Sequence, residues 1–562
     1  MSKLSDVERI KTDSRHLRGS LSESLEAAIT GALAEDDTQL SKFHGIYQQD
    51  DRDLRAERKR QKLEPAYSFM IRARVPGGLC TPAQWLNMDR VATEYANGSI
   101  RLTTRQAFQL HGVIKRRLKA TVAGINAAMM DTLAACGDVN RNVMAPPLSS
   151  SNRVYAAVQQ HARELSDHLT PATGAYHEIW LDGEKLPTPE VEPIYGDTYL
   201  PRKFKTAFVI PPQNDTDIFA QDLGFIAIVE DDQLIGYNVT VGGGMGMSHG
   251  EPATYPRLAD QLGFVSVEDH LKVGEAVVTT QRDYGDRTNR KHARLKYTID
   301  DRGIEWLRDE VARRAGVELQ APRPFEFVAN GDAYGWQQDE AGAWHYLFFV
   351  ENGRVSDVGE RRLLSGLRAI AKLDVGEFRL TPNQNLTISN LSDAQKATVS
   401  ALLAEYGITN SDRASALRLN SMACVAMPTC SLAMAESERY LPDLVSKLDA
   451  AMNAAGLDNE AITIRMTGCP NGCARPYIAE IGLVGKGPGT YNLYLGAGFA
   501  GDRLGCLYRE NINEAEILAA LTPLFEAYAA DREPDEHFGR FCIRTGVIRE
   551  VTAGLNFHGA AA

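Results

Sequence analysis

Hydrophobic and polar positions change their spacing along this chain, and these changes predict alternating strands and helices. In "RLTTRQAFQLHG" (residues 101–112), polar and apolar residues alternate with the period of a half-buried strand. The stretches "AQWLNMDRVATEYA" (83–96) and "ERRLLSGLRAIAKL" (360–373) have the character of helices. From about residue 66 onward, short strands are separated by helices, so the pattern indicates an α+β or mixed α/β fold.

Residues 1–65 differ from the rest because they are polar and rich in charge. They end in "QQDDRDLRAERKRQKLEP" (48–65), which predicts a charged helical piece. We expect an N-terminal arm that lies outside the main core. The arm could dock a partner or wrap around its own core, and the sequence leaves both open.

Three pairs of similar stretches occur in the same order in the two halves of the chain. The pairs are "SIRLTTRQAFQL" (99–110) with "EFRLTPNQNLTI" (377–388), "NRNVMAPP" (140–147) with "NSMACVAMP" (420–428), and "YNVTVGGG" (237–244) with "YNLYLGAG" (491–498). This order indicates an internally duplicated module with pseudo-two-fold symmetry. The centre between two such halves is a natural place for a large ligand.

Several predicted strands carry cations on one face. If "RLTTRQAFQLHG" is one strand, Arg101, Arg105, Gln109 and His111 share a face, because strand side chains alternate. The second copy places Arg379, Thr381, Asn383, Asn385 and Thr387 together in the same way, and Lys203 and Lys205 share a face in "LPRKFKT". Each face could be a solvated edge strand, or the faces together could form an anion site.

Composition narrows the class of protein. The chain has 562 residues, 44% hydrophobic and 24% charged, with a net charge of −12, which argues against a nucleic-acid partner. The first residues lack the apolar segment of a signal peptide, and no apolar run reaches the roughly 18 residues of a membrane helix. We therefore expect a cytoplasmic protein without membrane contact.

Four of the eight cysteines fall into two close pairs, and the spacing of these pairs suggests a metal centre. Cys424 and Cys430 lie in "CVAMPTC", and Cys469 and Cys473 in "TGCPNGC". Structural zinc sites usually use shorter spacings, whereas a four-iron cluster tolerates these and takes four thiolates. An iron–sulfur cluster is the favoured interpretation, with zinc and unligated structural cysteines as alternatives.

Together, these motifs resemble the sulfite/nitrite reductase haemoprotein family. The resemblance also includes "FHGIYQQDDRD" (43–53), "NRNV" (140–143), "LPRKFKT" (200–206) and "TTQRDYGDR" (279–287), and it covers nearly the whole chain. It is strongest toward the haemoprotein subunits of NADPH-dependent assimilatory sulfite reductases. It implies an α+β, internally duplicated fold with mixed sheets flanked by helices. The implied domains are an arm at 1–65, a duplicated ferredoxin-like domain at 66–133 plus 337–409, a sirohaem and substrate domain at 134–336, and a 4Fe-4S and sirohaem domain at 410–562.

The resemblance also implies roles for individual residues. Cys424, Cys430, Cys469 and Cys473 would hold a 4Fe-4S cluster, and Cys473 would also be the axial ligand of sirohaem. The carboxylates of sirohaem would contact Arg101, Arg105, Gln109 and His111. The substrate anion would bind Arg72, Arg141, Lys203 and Lys205.

The implied reaction is the six-electron reduction of sulfite to sulfide. Since no flavin or NADPH domain is recognisable, electrons would come from an NADPH-dependent flavoprotein subunit carrying FAD and FMN. The alternatives are a sirohaem-dependent nitrite reductase and a ferredoxin-dependent sulfite reductase. A zinc-stabilised binding protein without catalysis is a further alternative from a different class.

Overall fold

The computed structural model of the protein describes residues 4–147, 152–172, 180–181, 184–185, 192–408 and 414–559. The helices, in chain order, are α1 (Asp6–Asp13), α2 (Leu21–Glu26), α3 (Glu35–Leu40), α4 (Arg55–Arg60), α5 (Pro82–Tyr95), α6 (Leu118–Asn126), α7 (Arg153–His168), α8 (His270–Tyr284), α9 (Leu295–Arg302), α10 (Ile304–Ala315), α11 (Leu363–Ala371), α12 (Asp393–Glu405), α13 (Ala416–Leu419), α14 (Leu441–Ala454), α15 (Glu514–Asp531) and α16 (Phe538–Arg544). Among the described residues, no helix is both long and apolar enough to cross a bilayer.

The strands are short and are spread over the whole described chain. In chain order they are β1 (Ile46–Asp50), β2 (Tyr67–Ala73), β3 (Leu79–Cys80), β4 (Ile100–Leu102), β5 (Phe108–Val113), β6 (Trp180–Leu181), β7 (Glu184–Lys185), β8 (Thr206–Val209), β9 (Leu223–Glu230), β10 (Gln233–Val241), β11 (Asp260–Ser266), β12 (Gly335–Gln338), β13 (Trp344–Phe348), β14 (Arg354–Val355), β15 (Asp357–Val358), β16 (Arg361–Arg362), β17 (Glu377–Leu380), β18 (Leu386–Leu391), β19 (Ser421–Ala423), β20 (Ile464–Thr467), β21 (Ile481–Gly487), β22 (Thr490–Leu495) and β23 (Cys506–Ile512). Mixed sheets with helices against them confirm the expected α+β class.

Two five-stranded sheets are related by the duplication, and each takes a strand from the other repeat. Their strand orders are β1-β2-β5-β4-β14 and β12-β13-β18-β17-β3. Strand β14 of the second repeat pairs with β4 of the first, whereas β3 of the first pairs with β17 of the second. This reciprocal exchange makes the two sheets a single interlocked unit.

Helix α5 joins these two sheets through one buried tryptophan. The helix begins with a capping box in which Thr81 and Gln84 satisfy each other's backbone N–H groups, with Pro82 in the first turn. Trp85 stacks on Phe378 of β17, with ring centroids 4.9 Å apart, and meets the ring of Phe108 of β5 edge-on at 5.7 Å. Aromatic pairs of this geometry stabilise the packing beyond the area they bury.

A second pair of sheets repeats one connectivity in the two halves. Strand β8 is parallel to β9, and β10 and β11 continue antiparallel; likewise β20 is parallel to β21, and β22 and β23 continue antiparallel. Strand β19 lies parallel beside β20, and a parallel bridge from Met144 to Ala207 places "NRNV" beside β8 in the same way. The predicted equivalence of "NRNVMAPP" and "NSMACVAMP" is confirmed.

The prediction that residues 1–65 lie outside the core is wrong for much of this segment. The hydrophobic cluster formed by the β8–β11 sheet also buries Ile10, Leu17, Leu40 and Phe43. Strand β1 pairs with β2 over its full length. The segment looked detached because these apolar residues are widely spaced among polar ones. The predicted charged helix is present as α4, which has no buried residue.

The prediction of one continuous strand in "RLTTRQAFQLHG" is also wrong. The segment is a hairpin of β4 and β5, and Gln106 in its turn has a left-handed φ of 46°. The Thr103 hydroxyl accepts a hydrogen bond from the Ala107 N–H at 3.1 Å and closes the turn. The turn lacks the Gly, Asn or Pro that usually marks such a position, so alternation alone concealed it.

A buried ion cluster connects the two halves. Asp217 and Arg475 occupy equivalent left-handed positions, with φ of 47° and 55°, before 3-10 turns that lead into β9 and β21. Their side chains form an ion pair, and Arg465 Nη1 lies 2.7 Å from Asp217 Oδ2. Burial raises the pKa of Asp217, but Arg465 and Arg475 outweigh it and hold the pKa below its ordinary value.

Replacing Asp217 with Asn should lower the free energy of unfolding by about 3 kcal/mol or more, because two buried guanidinium groups lose their counter-charge. Denaturant unfolding followed by near-UV circular dichroism would measure the loss. Asp13→Asn removes an exposed pair with Arg9 and should leave stability close to that of the wild type. The pKa of Asp217 is lower in the folded protein than its ordinary value of 3.8. The stability advantage of the wild type over D217N should therefore be complete above pH 3.8, and it should disappear only as the pH falls through the pKa of the folded protein. Equal stability of D217N and wild type at neutral pH would contradict this account.

Candidate functional site: a cysteine cluster beside a buried cation pocket

The two cysteine pairs leave the same edge of one sheet. Cys424 directly follows β19, and Cys469 follows its parallel neighbour β20 by two residues. Parallel strands end at the same edge, so the loops that carry both pairs meet there. The Cys424 N–H donates to the carbonyl of Met466 at 3.1 Å, and the Met434 N–H donates to that of Gly468 at 2.7 Å.

Glycines let these two loops approach each other and the first half of the chain. Gly472 has a φ of 60°, and a Cβ there would lie 3.0 Å from the carbonyl oxygen of Met245. At Gly468, a Cβ would lie 2.6 Å from the Cβ of Ala426 in the other cysteine loop. The turn in "TGCPNGC" is therefore built from small residues because it is enclosed on several sides.

The four thiols lie close enough to affect one another electrostatically. Burial raises the pKa of Cys469 to about 12, and the neighbouring Cys473 adds to the shift. Burial also raises the pKa of Cys424, with further contributions from Cys473 and Cys469. These thiols need a metal centre to become thiolates near neutral pH.

Backbone N–H groups point at the sulfur atoms, as is expected around an iron–sulfur cluster. The Gly468 N–H lies 3.3 Å from Cys424 Sγ, Leu432 and Ala433 donate to Cys430, and Asn471 donates to Cys469. Such donors stabilise negative charge on the sulfurs. No three His, Cys, Asp or Glu side chains in the described ranges converge closely enough for a single metal ion. Four cysteines with sulfurs that accept backbone N–H groups fit the ligand set of a four-iron cluster.

A row of cations crosses the first-repeat sheet on one face. Arg72 and Arg101 each lie opposite Gln109, and Arg354 lies opposite Arg101. In the amide orientation that satisfies both groups, the Gln109 oxygen accepts a hydrogen bond from Arg72 Nε at 3.2 Å. Arg101 donates to the carbonyl of Ala423 at 2.8 Å, so this face reaches the start of the cysteine loop.

Arg105 and His111 join this row from the turn and from β5. Arg105 is buried, and its guanidinium donates to the carbonyl of Thr206 at 3.2 Å and to the side chain of Gln221. Burial lowers the pKa of His111 well below its ordinary value, and Arg354 and Arg101 lower it further, so the ring is neutral at neutral pH. Its Nδ1 is a buried atom without a hydrogen-bond partner in the described part of the chain.

Lys203 and Lys205 face further cations across the same space. Burial, together with the charges of Arg202 and Arg141, lowers the pKa of Lys203 to about 7. The pKa of Lys205 falls well below its ordinary value because of burial, and then because of Arg105 and Lys203. The predicted residues from four separate segments are therefore near neighbours.

The structure adds residues that sequence reasoning did not select. Tyr47 of β1 forms a hydrogen bond with Arg141, and Cys136 Sγ lies 3.0 Å from Arg72 Nη1. Arg202 also lies in this cation pocket, because its charge lowers the pKa of Lys203. The only sequence signal for Arg202 was its position beside Lys203 in "LPRKFKT". Tyr47 lies in "FHGIYQQDDRD", which contributed to the resemblance, but no role was predicted for it because its segment was expected to lie outside the core.

This pocket fits an anionic occupant. Asp138 is already paired with Arg290 and Lys11, and Asp222 with Arg294. Within the described residues, Arg105, Arg141, Lys203 and Lys205 form no ion pair with a carboxylate, and Arg141 Nε is buried without a partner. Buried cations without counter-charges, beside buried free donors, suit a polycarboxylate such as sirohaem together with a small anion.

Comparison with known families gives an independent result. The nitrite and sulphite reductase 4Fe-4S domain matches residues 161–319. The nitrite/sulfite reductase ferredoxin-like half domain matches twice, at 60–128 and 337–406. The two half-domain matches coincide with the two strand-exchanged sheets.

Curated relatives match the chain over almost its full length. Sulfite reductase (NADPH) hemoprotein beta-component of Geobacillus kaustophilus is 57% identical over 99% of this chain and 98% of its own. The protein of the same name from Myxococcus xanthus is 58% identical over 97% of both chains. Among solved structures, the Mycobacterium tuberculosis NirA protein superposes with a TM-score of 0.78 at 26% identity, covering 97% of both chains.

The chain therefore belongs to the nitrite and sulphite reductase family. Within it, the chain is similar over its full length to hemoprotein beta-components of NADPH-dependent sulfite reductases. The match to the 4Fe-4S domain covers residues 161–319, which contain no cysteine. The duplication accounts for this, because β8–β11 in that range repeat the connectivity of β20–β23, whose half carries all four cysteines.

Replacing Cys430 with Ala should abolish the cluster, because three thiolates cannot complete its usual ligand set. Iron and acid-labile sulfide per chain should fall to the level of an unassembled site. Cys542→Ala, which changes a buried thiol outside the cluster loops, should leave both counts unchanged. Stoichiometric zinc without labile sulfide in the wild type would contradict the cluster assignment.

Proposed function

We propose that this protein is the haemoprotein subunit of an assimilatory sulfite reductase, which reduces sulfite to sulfide with six electrons. One combination of features carries the proposal. Four thiols on two adjacent loops lie beside a pocket of unpaired cations, in a chain 55–58% identical to sulfite reductase hemoprotein components. In the overall reaction, the three oxygen atoms of sulfite leave as water, so each S–O cleavage consumes two electrons and two protons.

Two prosthetic groups would supply the redox chemistry. Bound there, a 4Fe-4S cluster would supply one-electron transfer, and sirohaem would supply an iron centre for the substrate anion. Cys424, Cys430, Cys469 and Cys473 would hold the cluster, with Cys473 shared with the sirohaem iron. Arg101, Arg105, Gln109 and His111 would face the sirohaem carboxylates.

The cations would bind and orient the substrate anion. Arg72, Arg141 and the pair Lys203 and Lys205 come from three segments of the first half. Arg141 lowers the pKa of Lys203, and Lys203 lowers that of Lys205. At an effective dielectric near 20, a cation 4 Å from the anion contributes about 4 kcal/mol before desolvation is subtracted. Arginine can hold two oxygens with its planar fork, whereas lysine acts as a point charge.

Lysines are the better proton donors in this pocket. The pKa of Lys203 is about 7, so its Nζ can donate a proton and regain one near neutral pH. A guanidinium does not give up its proton under these conditions. Lys203 and Lys205 would therefore protonate the departing oxygens, while Arg72 and Arg141 stay charged and hold the anion.

Electrons would come from a separate NADPH-dependent flavoprotein that carries FAD and FMN. The names of the curated relatives support this partner. Because α1–α3 and β1 pack into the fold, the part of the N-terminal arm best suited to docking is exposed α4, with Arg58 and Lys59. Use of NADPH would place the reaction in the cytoplasm.

Product analysis tests the proposed reaction. With a reduced electron donor, the loaded protein should convert sulfite to one equivalent of sulfide for each six electrons consumed. Nitrite is the competing substrate, since the matching family domains cover both activities. A higher kcat/KM for nitrite than for sulfite would transfer the assignment to nitrite reduction, and no turnover of either anion by the loaded protein would refute both.

Replacing Lys205 with Met should lower sulfite turnover by about 10²-fold or more, because a proton donor and an anion contact are lost together. Optical spectra of the haem and cluster should stay as in the wild type. As a control, Lys272→Met removes an exposed side chain of α8 that pairs with Asp269. This variant should reduce sulfite at the wild-type rate. Normal sulfite reduction by fully loaded K205M would exclude the proposed role.

A further inference from the structure

The N-terminal segment contributes one arginine to the cysteine loop of the second half. Arg52 follows β1, and its backbone N–H donates to the carbonyl of Pro428 at 3.1 Å. Its Nη1 donates to the carbonyl of Cys430 at 3.3 Å and also to that of Ala433. One side chain therefore bridges both ends of the turn that follows the second cluster cysteine.

The surrounding contacts hold Arg52 in this position. The Asp51 carboxylate accepts hydrogen bonds from the backbone N–H groups of Asp53 and Leu54, which closes a tight turn around Arg52. The Asp53 carboxylate then pairs with Arg439 at 2.7 Å, so the residue after Arg52 is also tied to the cluster half. The guanidinium is placed by backbone geometry and by neighbouring ion pairs.

The contacts of Arg52 also orient the peptide groups of the turn. Its guanidinium draws the carbonyls of Cys430 and Ala433 outward. The N–H groups of Leu432 and Ala433 point at the Cys430 sulfur instead. Donors aimed at a ligand sulfur stabilise added negative charge on an iron–sulfur cluster.

The charge of Arg52 is not neutralised by a carboxylate. In the described part of the chain its hydrogen-bond partners are backbone carbonyls, whereas nearby Arg55 forms a two-point pair with Asp50 at 2.7 and 2.8 Å. A neutral acceptor leaves the positive field of the guanidinium intact at the Cys430 thiolate. Because the side chain is half-buried, solvent screens this field less than it would at an open surface.

We infer that Arg52 is a positioning residue of the cluster, which orients the turn after Cys430 and favours the reduced form of the cluster with its unpaired charge. One-electron reduction adds a negative charge beside Cys430, and a fixed positive charge nearby lowers the free energy of that state. Electrons would thus enter the cluster more readily from a flavin donor. The inference rests on the proposed function insofar as it requires the 4Fe-4S cluster.

A redox titration of the cluster tests this role without relying on turnover. In Arg52→Gln, which can still donate to a carbonyl but is neutral, the reduction equilibrium should shift about tenfold toward the oxidised cluster, or 59 mV for a one-electron couple. Arg52→Lys keeps the charge and should stay within twofold of the wild type. Arg55→Met, three residues along, removes a paired charge and should leave the equilibrium unchanged. Electron paramagnetic resonance of the loaded protein poised at set potentials would measure each value.

The outcomes separate this inference from the proposed function. A wild-type protein without iron and labile sulfide would refute the cluster itself. With the cluster present, equal potentials in wild type and R52Q would overturn the role of Arg52. A shift, or a loss of the cluster, that is the same in R52Q and R52K would also overturn it, since the charge would then be irrelevant.

Discussion

Repulsion between buried positive charges is the constraint on which the rest of this structure depends. Arg105 and Lys203 lie close enough to Lys205 that their charges lower its pKa. The nearby acids Asp138 and Asp222 already pair with other cations. A protein with a net charge of −12 has thus gathered cations in this one pocket. Such an arrangement is costly when empty and becomes favourable when anions occupy it. The pocket is therefore built for its bound state, and the strands around it hold the cations together against that repulsion.

Duplication supplied two similar frames, and the two have diverged in charge. The turn that carries Arg105 in the first repeat carries Asn383 in the second, with Gln106 and Gln384 both at left-handed positions. In the second repeat, Asn383 and Asn385 donate to Asp332 at 3.1 and 2.7 Å, which fills the polar space with an internal network. One copy thus keeps its donors for a ligand, while the other satisfies them within the chain.

The sequence predicted the chemistry better than the geometry. The cysteine pairs and the lysines of "LPRKFKT" were recognisable because few other roles explain such residues at such spacings. The prediction of shared strand faces was partly right. Arg101 and Gln109 do share a face, but the reason is that they pair across a hairpin and not that they alternate along one strand. The turn at Gln106 could not be predicted, since only tertiary contacts hold that residue in the left-handed region. Tyr47 and Arg52 lie in the recognised motif "FHGIYQQDDRD", but their roles could not be predicted because their partners lie far away in sequence. The proposed domain boundaries remain predictions.

The exchange of β3 and β14 between the two repeats has a consequence for how the chain is made. The sheet that begins near residue 46 is finished only when residues 354–355 pair with β4, so the first repeat leaves the ribosome with an open sheet edge. Open edges of this kind invite pairing with other chains. Non-local pairing of this kind also slows folding, because a long loop must close before its contacts form. Neither repeat can complete its sheet without a strand from the other, so the two repeats cannot be separated into independent folding units.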